Sequence, residues 1–135
     1  DSHLPLFEDG EETRDFVHVL DVAEALARAL TVAEAPNTII NVGSGIGTSV
    51  HDVAGLLADV MGRPRDLRVT GEYRLGDIRH NAADITALAE QLDYAPRVDL
   101  ATGLDRFARW VAGEVLPEDQ LDRANAELRE RGLMG

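Results

Sequence analysis

A glycine-rich turn between an apolar run and a capped helix constrains most strongly how this chain can fold. Residues Ile40 to Val53 read INVGSGIGTSVHDV, with three glycines in five residues followed by a Thr-Ser pair. Such strand-to-helix turns are typical of doubly wound α/β sheets, in which the helix N-terminus can receive a phosphate. The stretch predicts a strand over 37–42 and a helix capped by Ser49, which runs to Met61 and ends at Gly62.

The same turn departs from the fingerprint of a dinucleotide-binding loop. That fingerprint is G-x-G-x-x-G, with an acidic residue about 20 residues later that binds the ribose hydroxyls. Gly43, Gly45 and Gly47 instead give G-x-G-x-G, and the next extended segment ends in Arg rather than in an acid. We interpret the loop as a tight turn that needs positive φ, and expect no cofactor-binding residue in this chain.

The segments around this turn extend the alternation of strands and helices. Hydrophobic periodicity and capping residues predict short strands between amphipathic helices, about five in number. The predicted extended segments are Arg14–Leu20 and Leu67–Tyr73, and the remaining predicted helices begin at Asp21, Asp84, Asp99 and Pro117, the last ending at Gly132.

Composition excludes several classes of function. With 25 acidic and 13 basic residues the net charge is −12, which repels nucleic acid, and no basic stripe offsets it. The absence of cysteine excludes disulfides and suits a reducing compartment, and the four histidines lack metal-ligand spacing. No apolar run approaches about 20 residues. We therefore expect a soluble cytoplasmic protein without a metal site.

Two motifs carry a family resemblance. The stretches EDGEETRDFVHVLDVAEAL (residues 8–26) and GEYRLGDIRHNAADI (residues 71–85), with the ending ELRERGL, resemble the C-terminal portion of extended short-chain dehydrogenase/reductases that act on nucleotide sugars. This is the NAD-dependent epimerase/dehydratase family, and the nearest likeness is to its dTDP-rhamnose and UDP-glucose 4-epimerase-like members. The resemblance implies the C-terminal, substrate-binding part of a Rossmann-type α/β fold without its dinucleotide-binding half.

The resemblance also implies how the chain is organised. Residues 1–135 would form a single domain: a strand-helix-strand unit over 1–47 that joins the Rossmann sheet, a substrate-binding lobe over 48–116, and a surface helix over 117–135. A partner is implied as well, namely the N-terminal half that completes the sheet. Without that half, exposed strand edges and apolar patches favour self-association.

The family motifs assign substrate-binding roles to four residues. By resemblance, Arg14 and Arg74 contact the diphosphate of a nucleotide sugar, Phe16 lies near the nucleotide, and Asp77 bonds the ribose. Guanidinium groups suit a diphosphate because each can donate paired hydrogen bonds, and a carboxylate suits a vicinal diol. From the residues alone, Arg14 beside Asp15 also fits a surface ion pair.

Three further residues follow Asp77 closely enough to reach the same pocket. Arg79 and His80 could line it or stabilise the loop. Asn81 stands where many relatives carry an aromatic residue or a cysteine, so the wall of the nucleoside pocket differs from the family pattern at this position.

The catalytic residues of the family are missing from this sequence. Catalysis in the family uses a Tyr-x-x-x-Lys pair and NAD, but this chain contains no lysine and neither Tyr73 nor Tyr94 has such a partner. Two hypotheses follow. The chain is either the nucleotide-sugar-binding part of an epimerase or dehydratase whose other half brings NAD, or a stand-alone binding module that retains the fold without the chemistry.

Overall fold

The computed structural model describes residues 3–32, 38–115 and 118–135 as short strands between helices. The strands are β1 (Leu4–Leu6), β2 (Thr13–Asp15), β3 (Gly47–Ser49) and β4 (Leu67–Val69). The helices are α1 (Val19–Thr31), α2 (Val50–Val60), α3 (Thr86–Leu92), α4 (Leu100–Ala112) and α5 (Leu121–Glu130). This mixed α/β arrangement, with few short strands and five helices in the described ranges, confirms the predicted fold class.

The strands form two separate two-stranded ladders. Strand β1 pairs in parallel with β4, from Leu4 opposite Leu67 to Leu6 opposite Val69. Strand β2 pairs antiparallel with β3, from Thr13 opposite Ser49 to Asp15 opposite Gly47. A parallel pair needs a crossover connection, and α2 lies within that connection and contacts both β1 and β4.

The predicted strands are longer than those observed. The strand predicted over Arg14–Leu20 ends at Asp15, because His18 already caps α1. The strand predicted over 37–42 is not formed at 38–42, and residue 37 lies outside the described residues. The backbone groups of 38–42 pair with no other described backbone segment. The apolar periodicity therefore indicates an extended segment, but it does not show that the segment pairs in a sheet.

Helix starts follow their predicted capping residues in two cases and differ in two others. Helix α3 begins at Thr86 with Ile85 as its N-cap, one residue after the predicted cap Asp84, whose side chain accepts from the Thr86 amide at 2.9 Å. As predicted, the Ser49 side chain caps α2 by accepting from the Asp52 amide at 3.0 Å, and Asp99 caps α4 by accepting from the Thr102 amide at 2.8 Å. Helix α1 instead begins at Val19 with His18 as its N-cap, so the predicted cap at Asp21 is wrong.

Asp21 is a buried acceptor that joins α1 to the segment after α3. Its carboxylate accepts hydrogen bonds from the Tyr94 hydroxyl at 2.7 Å and from the amides of Arg97 and Val98 at 3.0 and 3.1 Å. Burial, followed by the hydrogen bond to Asp21, raises the pKa of Tyr94 to about 12. The neutral Tyr94 hydroxyl therefore donates to the Asp21 carboxylate and holds α1 against the segment after α3.

The core lies between α1, α3 and the 38–42 segment. Ala25, Leu88, Leu92 and Tyr94 form the buried cluster, and Ile40 and Val42 pack against it. Their neighbour Ile39 points the other way and is 90% exposed. The alternation of strand side chains therefore persists at 39–42 although no ladder forms.

The remaining helices leave apolar side chains at the surface. On α4, Phe107 and Trp110 are at least half exposed, and their rings lie 5.9 Å apart. Helix α5 starts at Leu121, later than the predicted start at Pro117, which lies outside the described residues. In the described part of the chain, no helix has the length and apolarity to cross a membrane.

Candidate functional site

The loop that contains residues 74–81 runs beside strand β2, although more than 60 residues separate the two in sequence. The Thr13 amide donates to the Arg79 carbonyl at 2.9 Å, and the Asn81 amide donates to the Thr13 carbonyl at 3.1 Å. The Thr13 hydroxyl lies 3.1 Å from Nδ1 of His80. These bonds place the R-D-F motif and the R-x-G-D loop side by side.

Arg14 and Asp77 are in direct contact across this junction. The Arg14 guanidinium donates to Oδ1 of Asp77 at 2.8 Å, and also to the carbonyls of Thr13 at 2.8 Å and Arg79 at 3.2 Å. The Arg14 side chain is 27% exposed and that of Asp77 is 49% exposed. The ion pair is thus open to solvent, and its arginine already serves three acceptors.

Arg74 faces an open depression of about 490 Å³ that Asp77 also lines. The guanidinium lies 4.8 Å from the centre of the Phe7 ring, as in a cation–π contact. Among the described residues Arg74 has no carboxylate partner. Glu8, Asp9 and Tyr73 also line the depression, so a bound anion there would meet both signs of charge.

Arg79 forms ion pairs with the acidic turn at residues 8–12 and does not form a cluster with Arg14 and Arg74. It bonds Glu8 at 2.8 Å and Asp9 at 2.6 Å. The hydrogen bond from Arg79 lowers the pKa of Asp9 below its usual range and raises that of Arg79. Asn81 is exposed and is held by its backbone.

Phe16 lies in a different cavity from Arg74 and Asp77. That cavity, of about 440 Å³, is apolar and lies between residues 16–19 and one side of α4 from its N-cap to Trp110. Leu104, Phe107 and Trp110 form much of its wall. Of the four residues assigned by resemblance, three therefore meet near the R-x-G-D loop, and Phe16 is separate.

The glycine turn binds a carboxylate of this chain. Asp15 accepts hydrogen bonds from the Ser44 amide and hydroxyl at 2.7 and 2.6 Å, and from the amides of Gly45 and Ala83 at 2.9 and 3.0 Å. Burial raises the pKa of this carboxyl, but the bonds from Ser44, Ala83 and Gly45 together outweigh it and hold the pKa below its usual range. Asp15 therefore joins β2 to both loops.

This arrangement explains Gly43 and engages the amides of the turn with Asp15. A Cβ at Gly43 would lie 2.5 Å from Cβ of Ala83 and 2.6 Å from Oδ2 of Asp15, so only glycine fits. Amides that would face a phosphate in a dinucleotide loop face Asp15 instead. Sequence reasoning missed Asp15, although its place beside Arg14 in the R-D-F motif was a signal for it.

Comparison with known proteins places these features in context. Residues 2–43 match the sequence model described as the NAD dependent epimerase/dehydratase family. The chain is 37% identical over 122 residues to a dTDP-L-rhamnose 4-epimerase from Burkholderia thailandensis, a match that covers 90% of this chain and 32% of that protein. It is 38% identical over 99 residues to a UDP-glucose 4-epimerase from Mycolicibacterium smegmatis, covering 73% and 31%.

Solved structures show the same relationship. The UDP-glucose 4-epimerase of Thermotoga maritima, determined with UDP-glucose, is 32% identical, with a TM-score of 0.74 over 82% of this chain and 35% of that one. A UDP-N-acetylglucosamine 4-epimerase from Methanobrevibacter ruminantium, in complex with UDP-N-acetylmuramic acid, gives 26% identity and a TM-score of 0.75 over 84% of this chain and 36% of that one. The chain thus spans about a third of the length of its relatives.

Proposed function

Because this chain belongs to the NAD-dependent epimerase/dehydratase family, we propose that it forms the nucleotide-sugar-binding part of a sugar-nucleotide 4-epimerase or dehydratase. Its relatives include epimerases and dehydratases of UDP- and dTDP-sugars. The ligand is a nucleoside diphosphate sugar, whose diphosphate carries the charge that arginines recognise.

The observation that supports this proposal most is the junction of Arg14 with Asp77. The two residues come from motifs 63 positions apart and meet at 2.8 Å. Arg74 stands on the same loop as Asp77, without a carboxylate partner among the described residues. Two guanidiniums and one carboxylate thus lie on two adjoining segments, and this is the set that a diphosphate next to a ribose needs once the Arg14–Asp77 pair opens.

Each residue has a separate role in the proposed complex. Arg74 donates to the diphosphate from the open depression, and Arg14 donates to it after its bond with Asp77 is exchanged for the ligand. Asp77, once released, accepts from the ribose hydroxyls. The exchange is feasible because exposed ion pairs contribute only about 0–1 kcal/mol, less than a charge-assisted bond to phosphate.

This chain supplies binding and orientation in the proposal, and the acid–base and redox chemistry lies elsewhere. NAD accepts and returns a hydride in this family, but the glycine turn of this chain does not fit NAD. The sequence has no lysine for the Tyr-x-x-x-Lys pair. We assign no proton or hydride transfer to these residues, and the activity of the complete enzyme requires a further polypeptide portion.

Exposed apolar side chains mark where such a portion would pack. Leu30 on α1 is 88% exposed and Ile39 is 90% exposed. Large exposed apolar side chains close to a segment with unpaired backbone favour contact with another polypeptide. In the absence of that portion, we propose that two copies of the chain associate and that each covers these side chains of the other.

Calorimetric titration with UDP and with dTDP tests the binding proposal. Arg14→Ala and Arg74→Ala should each remove about 1.5–3 kcal/mol of binding free energy, or roughly tenfold to 150-fold in affinity. Arg109→Ala is the matched control, because Arg109 is an exposed arginine whose one ion pair among the described residues is with Asp105 on its own helix.

Equal binding by all four proteins would show that the ligand does not contact Arg14 or Arg74. Complete absence of nucleotide binding in the parent chain would instead favour the stand-alone module without this ligand.

A further inference from the structure

The acidic turn before β2 brings three carboxylates together in a way that ion pairing does not fully explain. Glu8, Asp9 and Glu12 each offer an oxygen, and these oxygens lie within 4.8 Å of one another. Backbone bonds hold the turn against the start of α2, since the carbonyls of Gly10 and Glu12 accept from the amides of His51 and Val50 at 3.0 Å each. The backbone that carries the three carboxylates is therefore fixed by the fold at Gly10 and Glu12.

Glu12 is the unusual member of this group. It is only 6% exposed, and its Oε2 atom is buried without a hydrogen-bond partner among the described residues. An ionised oxygen that is buried and unpaired destabilises a fold, so buried charges are normally paired or coordinate a metal. A cation or a hydrogen-bond donor beside Oε2 would satisfy Glu12.

Arg79 does not meet this need. Its guanidinium bonds Glu8 and Asp9, and no described basic residue forms an ion pair with Glu12. Within this group of three carboxylates, one arginine leaves two negative charges unbalanced. A single divalent cation would balance them.

From these observations, we propose that Glu8, Asp9 and Glu12 form a site for a hard divalent cation, with calcium as the best fit. The donors are all carboxylate oxygens, which calcium, magnesium and manganese prefer over zinc or copper. Calcium accepts oxygen ligands in flexible geometry, which suits three oxygens within 4.8 Å of one another of which two are shared with Arg79, whereas magnesium demands a near-ideal octahedron. Glu12 coordinates from the buried side, and Glu8 and Asp9 share their oxygens with Arg79.

This site adjoins the proposed nucleotide site, because Glu8 and Asp9 also line the depression of Arg74 and Asp77, but none of Arg14, Arg74 and Asp77 is a ligand. Its role is to fix the turn that precedes β2. Calcium binding should therefore raise the unfolding temperature of the chain, whether or not a nucleotide binds.

The test is a titration of the chelator-treated 135-residue chain with CaCl2, followed by calorimetry and thermal unfolding. With only three protein ligands and a competing arginine, we expect one saturable site with a dissociation constant of roughly 10⁻⁴–10⁻³ M. Glu12→Gln and Asp9→Asn should each weaken binding by at least about tenfold. Asp105→Asn, which removes an exposed carboxylate paired with Arg109 on α4, should bind calcium as the parent does.

A second measurement locates the ion and does not depend on how well the variants fold. Substoichiometric MnCl2 should broaden the amide NMR signals of residues 8–12 and 79 before all others in the parent protein. Broadening centred elsewhere, or no saturable calcium binding, would overturn the proposal. It would also be overturned if Glu12→Gln stabilised the metal-free chain and kept calcium binding, because the Glu12 carboxylate would then not be a ligand.

Discussion

Among single carboxylate-to-amide substitutions near the glycine turn, Asp15→Asn should destabilise the chain most. Asp15 accepts four hydrogen bonds, two of them from Ser44 and the others from the amides of Gly45 and Ala83. Asn keeps one accepting oxygen, which can remain on Ser44. Its NH2 group would then face two N–H donors.

The magnitude follows from the bonds that are lost. A hydrogen bond to a charged group contributes about 1.5–3 kcal/mol, so loss of two would cost about 3–6 kcal/mol. Asp15 is half-buried, and water can partly replace the carboxylate, which favours the lower end. We expect the free energy of unfolding to fall by about 3 kcal/mol, a large part of the stability of a domain of this size.

Urea unfolding followed by far-UV circular dichroism measures this change, provided that the slope with denaturant stays constant. Asp105→Asn is the control, because its exposed pair with Arg109 should be worth less than about 0.5 kcal/mol. A loss below about 1 kcal/mol for Asp15→Asn at unchanged slope would refute the reasoning.

A pH series adds an independent check on the same residue. Its lowered pKa means that the Asp15 contribution is complete above the ordinary value of 3.8 and is lost as pH falls through the value in the folded protein. The parent should therefore lose stability more steeply than Asp15→Asn in this acidic range. Parallel acid limbs would contradict the assignment of the lowered pKa to the loop bonds.

Three further predictions concern the core, the cofactor and association. Tyr94→Phe should lower the free energy of unfolding by about 1.5–3 kcal/mol at neutral pH, because the bond to Asp21 is lost. The raised pKa of Tyr94 is about 12, so the stabilities of parent and variant in urea titrations should converge as pH rises from 10 through that value. Fluorescence titration should show no NADH binding by this chain, and a micromolar dissociation constant would overturn our reading of the glycine turn. Light scattering should give a mass above 14.7 kDa that rises with concentration and falls in Leu30→Gln with Ile39→Gln; a concentration-independent monomer would contradict the proposed association.

The identity of the fold was accessible from sequence because its signals are local or are shared with relatives. Ser49 and Asp99 were predicted as caps, and both accept from the amide three residues later. A cap and its amide are neighbours in sequence, so the bond forms whatever the rest of the chain does. The family resemblance, confirmed by the comparisons, added the motifs around Arg14 and Asp77.

Strand boundaries and the first helix cap could not be predicted in the same way. Residues 14–20 have a strand-like alternation, but His18 ends that strand early and Asp21 turns inward to bind Tyr94. An acid near a helix start can either cap the helix or accept bonds from a distant segment. The choice depends on which donors the folded chain brings near, and these lie more than 70 residues away.

The sequence by itself thus determined the α/β class, two of the helix caps and the family motifs, since these depend on neighbouring residues or on recognisable patterns. Only the tertiary structure decided that the glycine turn binds Asp15, that Arg14 meets Asp77, and that Oε2 of Glu12 is buried with no partner in the described part of the chain. Each of these is a polar contact, or the absence of one, between groups that the chain path alone brings together. A buried or half-buried polar group must find its partner wherever the fold places one. Sequence periodicity carries no information about how far along the chain that partner lies.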